Sequence, residues 1–274
     1  MIRTLRKEIV SVLAPKARSV LFIGTGRTAT VTSMTILKKC GGLMARHEPS
    51  PNPGRQAGDA YQIIGSPEED KYFEAFLKNR GRYLATAFLK RKQYVEFGPY
   101  IYHAPILAKK LARMRFVHVV RNPYGVIRSA MRRGWYQPDE DPPRKWRIVP
   151  REDDPFFGEW SEWGQFEKCT WFWHANNKFC ADLIEQLSPG RTKMLRFEDL
   201  IDLNSGAWYE LFRWLGAIPP DEGEILSVLS EKMNRQDRGS FPEATEWDPH
   251  MIETAERIAG ETANRFGYKF GVAE

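Results

Sequence analysis

The sequence predicts an α/β fold in which a mainly parallel sheet is flanked by helices. Residues 20–23 are apolar and residues 116–120 mostly so; both runs are rich in β-forming residues and too short for buried helices. Residues 193–197 form a third candidate strand and precede an acidic pair. A helical stretch follows each run, and strands that alternate with helices are typical of parallel sheets. Ligands bind beyond the carboxyl ends of such strands, so we expect the functional residues there.

Two helices and one long loop complete the predicted element order. Residues 171–187 place apolar side chains at three- and four-residue spacings, which predicts a helix with one buried face, and another helix begins near Ser205. Residues 135–168 are rich in Trp, Pro and paired charges, which predicts an inserted loop. Its tryptophans either cover an acceptor molecule or anchor the loop to the body of the protein. They are Trp135, Trp146, Trp160 and Trp163.

Composition indicates one ordinary folded domain that spans residues 1–274. The 274 residues are 42% hydrophobic and 28% charged, which fits neither a disordered nor a fibrous chain. No fixed-period repeat or low-complexity linker divides them. Lys and Arg outnumber Asp and Glu by 41 to 35, and the resulting net charge of +6 favours an anionic partner. No recognised nucleic-acid-binding module is present, so nucleic acid is not the expected partner.

The cysteines and the N-terminus favour a cytoplasmic protein without a metal site. Cys40, Cys169 and Cys180 have no CxxC spacing and are too few for a disulfide framework, which indicates reduced thiols and argues against zinc. Residues 1–16 mix charges with isolated apolar residues, which is typical of a short amphipathic helix and not of a secretory signal. No run approaches the roughly 18 apolar residues of a membrane-spanning helix, so we expect no integral membrane association.

A glycine-containing loop follows the first predicted strand and precedes a helix. In this arrangement, free backbone N–H groups and the helix dipole converge on one point, so residues 24–30 predict an anion site. Arg27 adds a guanidinium suited to phosphate or sulfate oxygens, and Thr28 and Thr30 add hydroxyl donors. A glycine turn with a solvated arginine is the alternative interpretation.

Two nucleotide-binding patterns compete for this loop. The Walker pattern ends in Gly-Lys-Ser/Thr, which is absent here, so an ordinary ATPase is not predicted. The spacing Gly24-x-Gly26-x-x-Ala29 satisfies the dinucleotide pattern, and Glu48 lies near the position of its ribose-binding acid. An NAD(P)-dependent Rossmann oxidoreductase is therefore one alternative. That interpretation leaves the end of the second predicted strand without a role.

The second predicted strand ends in a similar set of hydrogen-bond donors. Arg121 lies where the strand gives way to a turn, Pro123 suits the first turn of a helix, and Ser129 follows about two turns later. One guanidinium and one hydroxyl are then placed to bind a second phosphate. As an alternative, Arg121 caps a carboxylate.

Together, these loops resemble those of the sulfotransferases that use 3′-phosphoadenosine 5′-phosphosulfate (PAPS). Residues 27–30 are similar to the family's 5′-phosphosulfate loop, and Arg121 with Ser129 is similar to its 3′-phosphate motif. The resemblance covers nearly the whole chain, since it continues through residues 96–99, 195–200 and 266–268. It implies a P-loop-like sulfotransferase architecture.

The resemblance implies a PAPS site without a metal. The residues that it assigns to the donor are Gly26, Arg27, Thr28, Ala29, Thr30, Val31, Arg121, Ser129 and Phe197. Arg235 and Arg238 resemble a late loop that closes on the 3′-phosphate.

Four positions depart from the family pattern. Ala29 replaces a glycine and Val31 replaces a common Thr or Ser, which weakens one backbone approach and removes one hydroxyl. Phe97 stands where many relatives have Lys, and Phe197 replaces a Tyr. The loop N–H groups and the remaining hydroxyls retain a phosphosulfate site, and the ring of Phe197 retains a surface for adenine.

The activity implied by the resemblance is transfer of a sulfuryl group to a hydroxyl, or alternatively an amine, of a small molecule, glycan or glycolipid. Because charge develops on the leaving phosphate, a positioned cation should supply most of the rate, and Arg27 is the candidate. Three residues are candidates for the general base, with Glu48 ranked first, His47 second and His103 third. A non-catalytic nucleotide-binding protein, which keeps the pocket without the base, is a further alternative.

Overall fold

A five-stranded parallel sheet forms the centre of the computed structural model, which describes residue 8 and residues 10–51, 56–137, 147–231 and 239–271. The predicted α/β class is confirmed. The spatial order of the strands is β2-β3-β1-β4-β5, and every neighbouring pair is parallel. The strands are β1 (Ser19–Ile23), β2 (Leu43–His47), β3 (Gln93–Phe97), β4 (Met114–Val120) and β5 (Thr192–Arg196).

The three predicted strands correspond to β1, β4 and β5, whereas β2 and β3 were missed. Phe197 does not end β5 but begins the next helix. β3 contains Gln93 and Glu96, both fully buried, and such polar residues interrupt the apolar pattern by which a central strand is recognised. β2 lies at the edge of the sheet and ends in the exposed Arg46 and the half-buried His47, so its pattern is weaker still.

Besides the helical residues 8 and 10–13, ten α-helices cover the sheet within the described residues. They are α1 (Thr30–Lys39), α2 (Ala57–Gln62), α3 (Asp70–Leu89), α4 (Ala104–Lys110), α5 (Pro123–Arg132), α6 (Gln165–Gln186), α7 (Phe197–Ile201), α8 (Gly206–Leu215), α9 (Glu222–Ser230) and α10 (Pro249–Arg265). Short 3₁₀ turns cover Ala14–Lys16, Pro67–Glu69, Ile101–His103, Pro189–Arg191 and Ala244–Glu246. The helix predicted over residues 171–187 is α6, which begins six residues earlier, and Ser205 is the N-cap of α8.

The helices form one apolar layer on each face of the sheet. Val20 and Phe22 of β1 belong to the core shared with α1, α8 and α9. Leu21 and Ile23 belong to the core shared with α3, α4, α5, α6 and α10. Successive side chains of a strand point to opposite faces, so a strand that is buried on both faces requires the continuous apolar run that predicted β1.

The described part of the aromatic insertion packs against α6. The indole N–H of Trp171, on α6, donates to Asp154 at 3.2 Å, and the ring of Trp160 lies 5.1 Å from that of Trp171. Trp163 in turn contacts Trp160 at 6.0 Å between ring centroids. These two loop tryptophans anchor the segment to the body of the protein. Trp146 lies outside the described residues, so coverage of an acceptor by this loop stays a prediction.

The three cysteines lie in the interior of the protein. Cys40, Cys169 and Cys180 are free and buried, and burial raises the pKa of the Cys40 thiol to about 12. None of the helices in the described ranges is both long and apolar enough to cross a membrane.

Candidate functional site

A cavity of about 740 Å³ opens at the carboxyl ends of the central strands. This is the edge at which a parallel sheet is expected to bind ligands. We call one set of its lining residues the polar cluster: Gly24, Thr25, Gly26, Arg27, Thr28, Thr30, Val31, His47 and Glu48. A second set, the aromatic cluster, consists of Ile101, Tyr102, Trp135, Phe172 and Asn176.

The loop between β1 and α1 has the backbone of an anion site. A Cβ on Gly24 would lie 2.5 Å from the carbonyl oxygen of Val119, so this close approach of β1 to β4 requires glycine. Gly26, Arg27 and Ala29 have φ angles of 74°, 60° and 53°, in the left-handed region. α1 begins directly after Ala29 without a side-chain cap. The N–H groups of its first turn are therefore available to an anion.

Hydrogen bonds join this loop to the end of β4. Arg27 Nε donates to Ser129 Oγ at 3.0 Å, and Arg121 Nη1 donates to the backbone oxygen of Arg27 at 2.8 Å. Asn122 Oδ1 accepts from the N–H of Gly125 at 2.7 Å and so caps the helix that carries Ser129. The two loops that the sequence singled out separately thus form one polar site.

Arg121 lies between the start of α5 and the ring of Phe197. Its guanidinium carbon is 4.1 Å from the centroid of that ring. Gly125 permits this position, because a Cβ there would lie 2.8 Å from Arg121 Nε. Burial lowers the pKa of Arg121, while the charge of Glu198 opposes the shift. Nε is buried without a hydrogen-bond partner among the described residues, so a bound oxyanion would satisfy it.

Glu198 fixes the backbone around Arg121. Its Oε1 accepts from the N–H and the Nδ2 of Asn122 at 3.0 and 2.9 Å, and its Oε2 accepts from the hydroxyl of Tyr268 at 2.7 Å. On the other side, the indole N–H of Trp173 donates to the backbone oxygen of Arg121 at 2.9 Å. The ends of β4 and β5 are therefore held in place before any ligand binds.

Some of the remaining residues predicted to bind the donor line the cavity, and others contact the residues that line it. Thr28, Thr30 and Val31 line it, whereas Arg121, Ser129 and Phe197 contact its polar cluster or one another. Arg27 lines the cavity, and burial and the nearby charge of Arg121 both lower its pKa. Two like charges held this close favour the binding of an anion.

His47 and Glu48 both lie at the cavity, after β2. His47 Nε2 is 3.0 Å from Thr30 Oγ1, so the imidazole contacts the start of α1. Glu48 has a φ of 38°, and its N–H donates to the backbone oxygen of Phe97 at 2.9 Å. This left-handed backbone turns the chain at the end of β2, and Glu48 faces the cavity as a result.

Arg80 donates hydrogen bonds to the backbone of the segment that follows Glu48. Its Nη2 donates to the backbone oxygen of Pro49 at 2.7 Å, and its Nη1 donates to that of Pro51 at 3.0 Å. Its Nε donates to both carboxylate oxygens of Glu96 at 3.0 and 2.9 Å, and neither side chain is exposed at all. Burial alone would lower the pKa of Arg80, but the Glu96 charge raises it above its ordinary value. The sequence analysis missed Arg80, because a single arginine within a helix carries no sequence signal.

His103, the third predicted base, does not reach the cavity. It is 1% exposed, and its ring lies edge-on to those of Tyr72 and Tyr100 at 5.1 and 5.9 Å. Neither ring nitrogen has a hydrogen-bond partner among the described residues, and burial lowers its pKa to about 4. The neighbouring Tyr102 lines the cavity instead, because adjacent residues of a 3₁₀ turn point in different directions. Arg235 and Arg238 lie outside the described residues, so their predicted role stays a prediction.

The aromatic cluster was only partly foreseen. Of its members, Trp135 was among the tryptophans predicted either to cover an acceptor or to anchor the loop, and it lines the cavity. Phe172 was expected in the buried face of a helix, and Asn176 was not singled out. Arg133 also lines the cavity, although no role was assigned to it from the sequence. Its spacing of four residues from Ser129 is the signal that could have placed it at the site.

Comparison with known proteins supports the sulfotransferase resemblance at the level of the fold. No family model matches the chain, and no curated protein matches its sequence. The sulfotransferase domain from the curacin biosynthetic pathway matches with a TM-score of 0.52 at 15% identity, over 92% of this chain and 98% of that one. The sulfotransferase domain of the Synechococcus PCC 7002 olefin synthase matches with 0.51 at 14% identity, over 93% and 96%. A sulfotransferase from Mycobacterium avium matches with 0.53 at 10% identity, over 94% and 79%. The chain therefore has a sulfotransferase fold.

The strand order argues against the dinucleotide alternative. In the Rossmann order 3-2-1-4-5-6, the second strand lies beside the first, and the acid at its end meets the ribose. Here β3 lies between β1 and β2, which puts Glu48 two strands away from the glycine loop. Within the described residues, no group of three or more His, Cys, Asp or Glu side chains is arranged to hold a metal ion.

Proposed function

We propose that the protein is a PAPS-dependent sulfotransferase that acts on a hydroxyl, or alternatively an amine, of a small molecule, glycan or glycolipid. The observation that carries this proposal is the connection between the two loops. Arg27 donates to Ser129 and accepts from Arg121, so two anion sites adjoin each other. A nucleotide with phosphate groups on two different ribose positions fits such a pair better than a nucleotide with one phosphate chain.

The residues present fit both anionic ends of this donor. The loop N–H groups with Arg27, Thr28 and Thr30 would hold the 5′-phosphosulfate. Arg121, with its buried and unsatisfied Nε, and Ser129 would hold the 3′-phosphate. When bound, the donor supplies a sulfuryl group, whose S–O bond to the nucleotide phosphate would break as a new bond forms to the acceptor, S–O for a hydroxyl or S–N for an amine.

Arg27 and the start of α1 are proposed to stabilise the charge that develops on the leaving phosphate. They are fixed in advance, Arg27 through its bond to Ser129 and the helix end through the left-handed backbone before it. Donors that need no rearrangement at the moment of reaction stabilise a transition state most effectively, and removal of one typically lowers kcat by about 10²–10³-fold.

Glu48 is the proposed general base, with His47 as the second choice. Both line the cavity as members of the polar cluster. A carboxylate is acceptor-only when ionised and is suited to take the proton of the acceptor hydroxyl. His47 already contacts Thr30 Oγ1 at 3.0 Å, which favours a role in orienting that hydroxyl. His103 is left out of the proposal because it lies in the interior.

Calorimetric titration tests the donor site. The purified protein is titrated with 3′-phosphoadenosine 5′-phosphate, NAD and ATP at one salt concentration, and the Arg27→Gln variant is titrated beside it. We expect stoichiometric binding of the bisphosphate alone, weakened at least about 10-fold in the variant. The exposed Arg82→Gln is the matched control and should bind as the wild type does. Preference for NAD, or no nucleotide binding, would contradict the proposal.

A transfer assay separates the enzyme from a non-catalytic binding protein. Wild-type protein is incubated with radiolabelled PAPS and a panel of phenols, alcohols, amines and oligosaccharides, and sulfated product is measured together with release of the bisphosphate. Product that disappears with Arg27→Gln and persists with Arg82→Gln supports the enzyme. Bisphosphate binding without product from any acceptor would favour the non-catalytic alternative.

A further inference from the structure

Arg133 is a cation of the cavity that the proposed donor site does not use. It follows directly after α5 as the helix's C-cap residue, and its side chain lines the cavity. Its side chain makes no hydrogen bond or ion pair with the described residues, and its Nε is buried. An unsatisfied guanidinium beside a cavity is a group that a ligand would complete.

The position of Arg133 is one helical turn beyond the Arg27–Ser129 pair. Ser129 and Arg133 are four residues apart, so they share a face of α5. Trp135, two residues further on, lines the cavity, and its ring lies 5.3 Å from that of Phe172. Arg133 therefore stands where the polar cluster meets the aromatic cluster.

The electrostatic surroundings of Arg133 favour an anionic ligand. Burial and, as the smaller cause, the charge of Arg27 together lower its pKa to about 10. No carboxylate contributes to this shift, so within the described residues the charge of Arg133 has no protein counterion. A bound oxyanion would offset both the loss of hydration and the repulsion from Arg27.

The aromatic cluster offers few free polar groups to an acceptor. The hydroxyl of Tyr102 donates to Asn176 Oδ1 at 3.0 Å, and Asn176 Nδ2 donates to the backbone oxygen of Phe172 at 2.6 Å. The hydroxyl proton of Tyr102 and one N–H and one lone pair of the Asn176 amide are thus used within the protein. A sugar, which carries many hydroxyls, would lose more hydration here than it regains in partners, whereas an aromatic ring would not.

We propose that Arg133 binds an acid group of the acceptor, so that the acceptor is an aromatic or apolar hydroxyl compound that bears a carboxylate or a similar oxyanion. Its identification as the acceptor rests on the proposed function, whereas the anion subsite itself is measurable without turnover. The acid group would pair with the guanidinium while the apolar body packs against Tyr102, Trp135 and Phe172.

A pair of matched probes tests the subsite by calorimetry. With the bisphosphate nucleotide at saturation, para-hydroxyphenylpropionate and its neutral amide are titrated into the wild type, Arg133→Gln, Arg133→Lys and the control Arg82→Gln. We expect the wild type and the control to bind the acid about 10- to 100-fold more tightly than the amide. Arg133→Gln should bind the two probes equally, and Arg133→Lys should give an intermediate preference because the planar donor fork is lost. An unchanged affinity for the bisphosphate shows that the variants are folded.

Three outcomes would overturn the proposal. They are equal binding of acid and amide by the wild type, no binding of either probe, and a loss of bisphosphate affinity in Arg133→Gln as large as the loss for the acid. The last outcome would indicate that Arg133 binds an oxyanion of the nucleotide donor and not an acid group of the acceptor. Failure of the proposed function is distinguishable, because it would abolish bisphosphate binding or sulfated product in the wild type. An Arg133-dependent preference for the acid, measured then without the nucleotide, would still stand.

Discussion

Arg80 and the arginines at the cavity occupy environments that differ in how completely their donors are satisfied. Arg80 has no exposed surface, and its Nε, Nη1 and Nη2 all donate to protein oxygens. Arg121 and Arg133 each keep a buried Nε without a partner among the described residues. Loss of a fully paired buried cation destabilises the native structure, whereas cations with unsatisfied donors around a cavity are completed by a ligand. Substitutions should therefore separate into those that change stability and those that change binding or turnover.

Among the variants, Glu48→Gln at the cavity is expected to have the largest effect, which is on the rate of transfer. If Glu48 takes the acceptor proton, the amide should lower the rate of sulfuryl transfer by about 10²–10⁴-fold. The affinity for the bisphosphate and the free energy of unfolding should stay unchanged. The exposed Glu74→Gln is the matched control. Full activity in Glu48→Gln would make the assignment of the base wrong and direct the same test to His47.

The variant Arg80→Met tests the structural role of the fully paired arginine in the interior. Removal of the guanidinium leaves the Glu96 carboxylate buried without its counterion, and loss of one partner of a buried pair costs about 3–5 kcal/mol. We expect urea denaturation to show a loss of this size, with Arg82→Met as the control on the same helix. The carbonyls of Pro49 and Pro51 also lose their hydrogen-bond donor, so the loop that carries Glu48 should be less well positioned. We therefore expect turnover to fall as well. A loss of stability below about 1 kcal/mol would contradict the structural role, since this is the range of exposed pairs.

A smaller and pH-dependent effect is expected for His103, which belongs to the interior. Its pKa is lowered to about 4 in the folded protein, whereas an unfolded chain has a value of about 6.5. The neutral ring therefore contributes stability above pH 6.5, and this contribution is lost as the pH falls from about 6.5 towards 4.

The variant His103→Phe should remove this pH dependence. Between pH 7 and pH 5, its unfolding free energy should fall by on the order of 2 kcal/mol less than that of the wild type, as measured by urea denaturation at each pH. The exposed His250→Gln should behave as the wild type does. Turnover of folded His103→Phe should persist at pH 7, and loss of turnover would restore His103 as a candidate base.

The same comparison explains which parts of the site the sequence predicts. The loop at Arg27 and the turn at Arg121 are local features, since strand ends, glycines and a proline mark them within a few residues. Arg80 and Glu96 meet only after α3 packs on β3, and nothing near Arg80 in the chain indicates that contact. His103 was placed by its position in the chain, but the direction of its side chain depends on the 3₁₀ turn that carries it.

The same limit applies to the prediction of the strands from the sequence. β1 and β4 are recognisable because burial on both faces requires continuous apolar runs. β3 is equally buried, yet the charge of its Glu96 is compensated by Arg80 on α3, so the polar residue conceals the strand. Features set by neighbours in the chain are thus predictable, and features set by neighbours in space are not.

The central claim is that the two loops bind one nucleotide through two separate phosphates. The most direct test is calorimetric titration of wild type and Arg121→Gln with 3′-phosphoadenosine 5′-phosphate and with adenosine 5′-phosphate. The wild type should prefer the bisphosphate, and Arg121→Gln should lose that preference at least about 10-fold while its affinity for the monophosphate is unchanged. Equal affinity of the wild type for both nucleotides, or an equal loss for both in the variant, would contradict the claim.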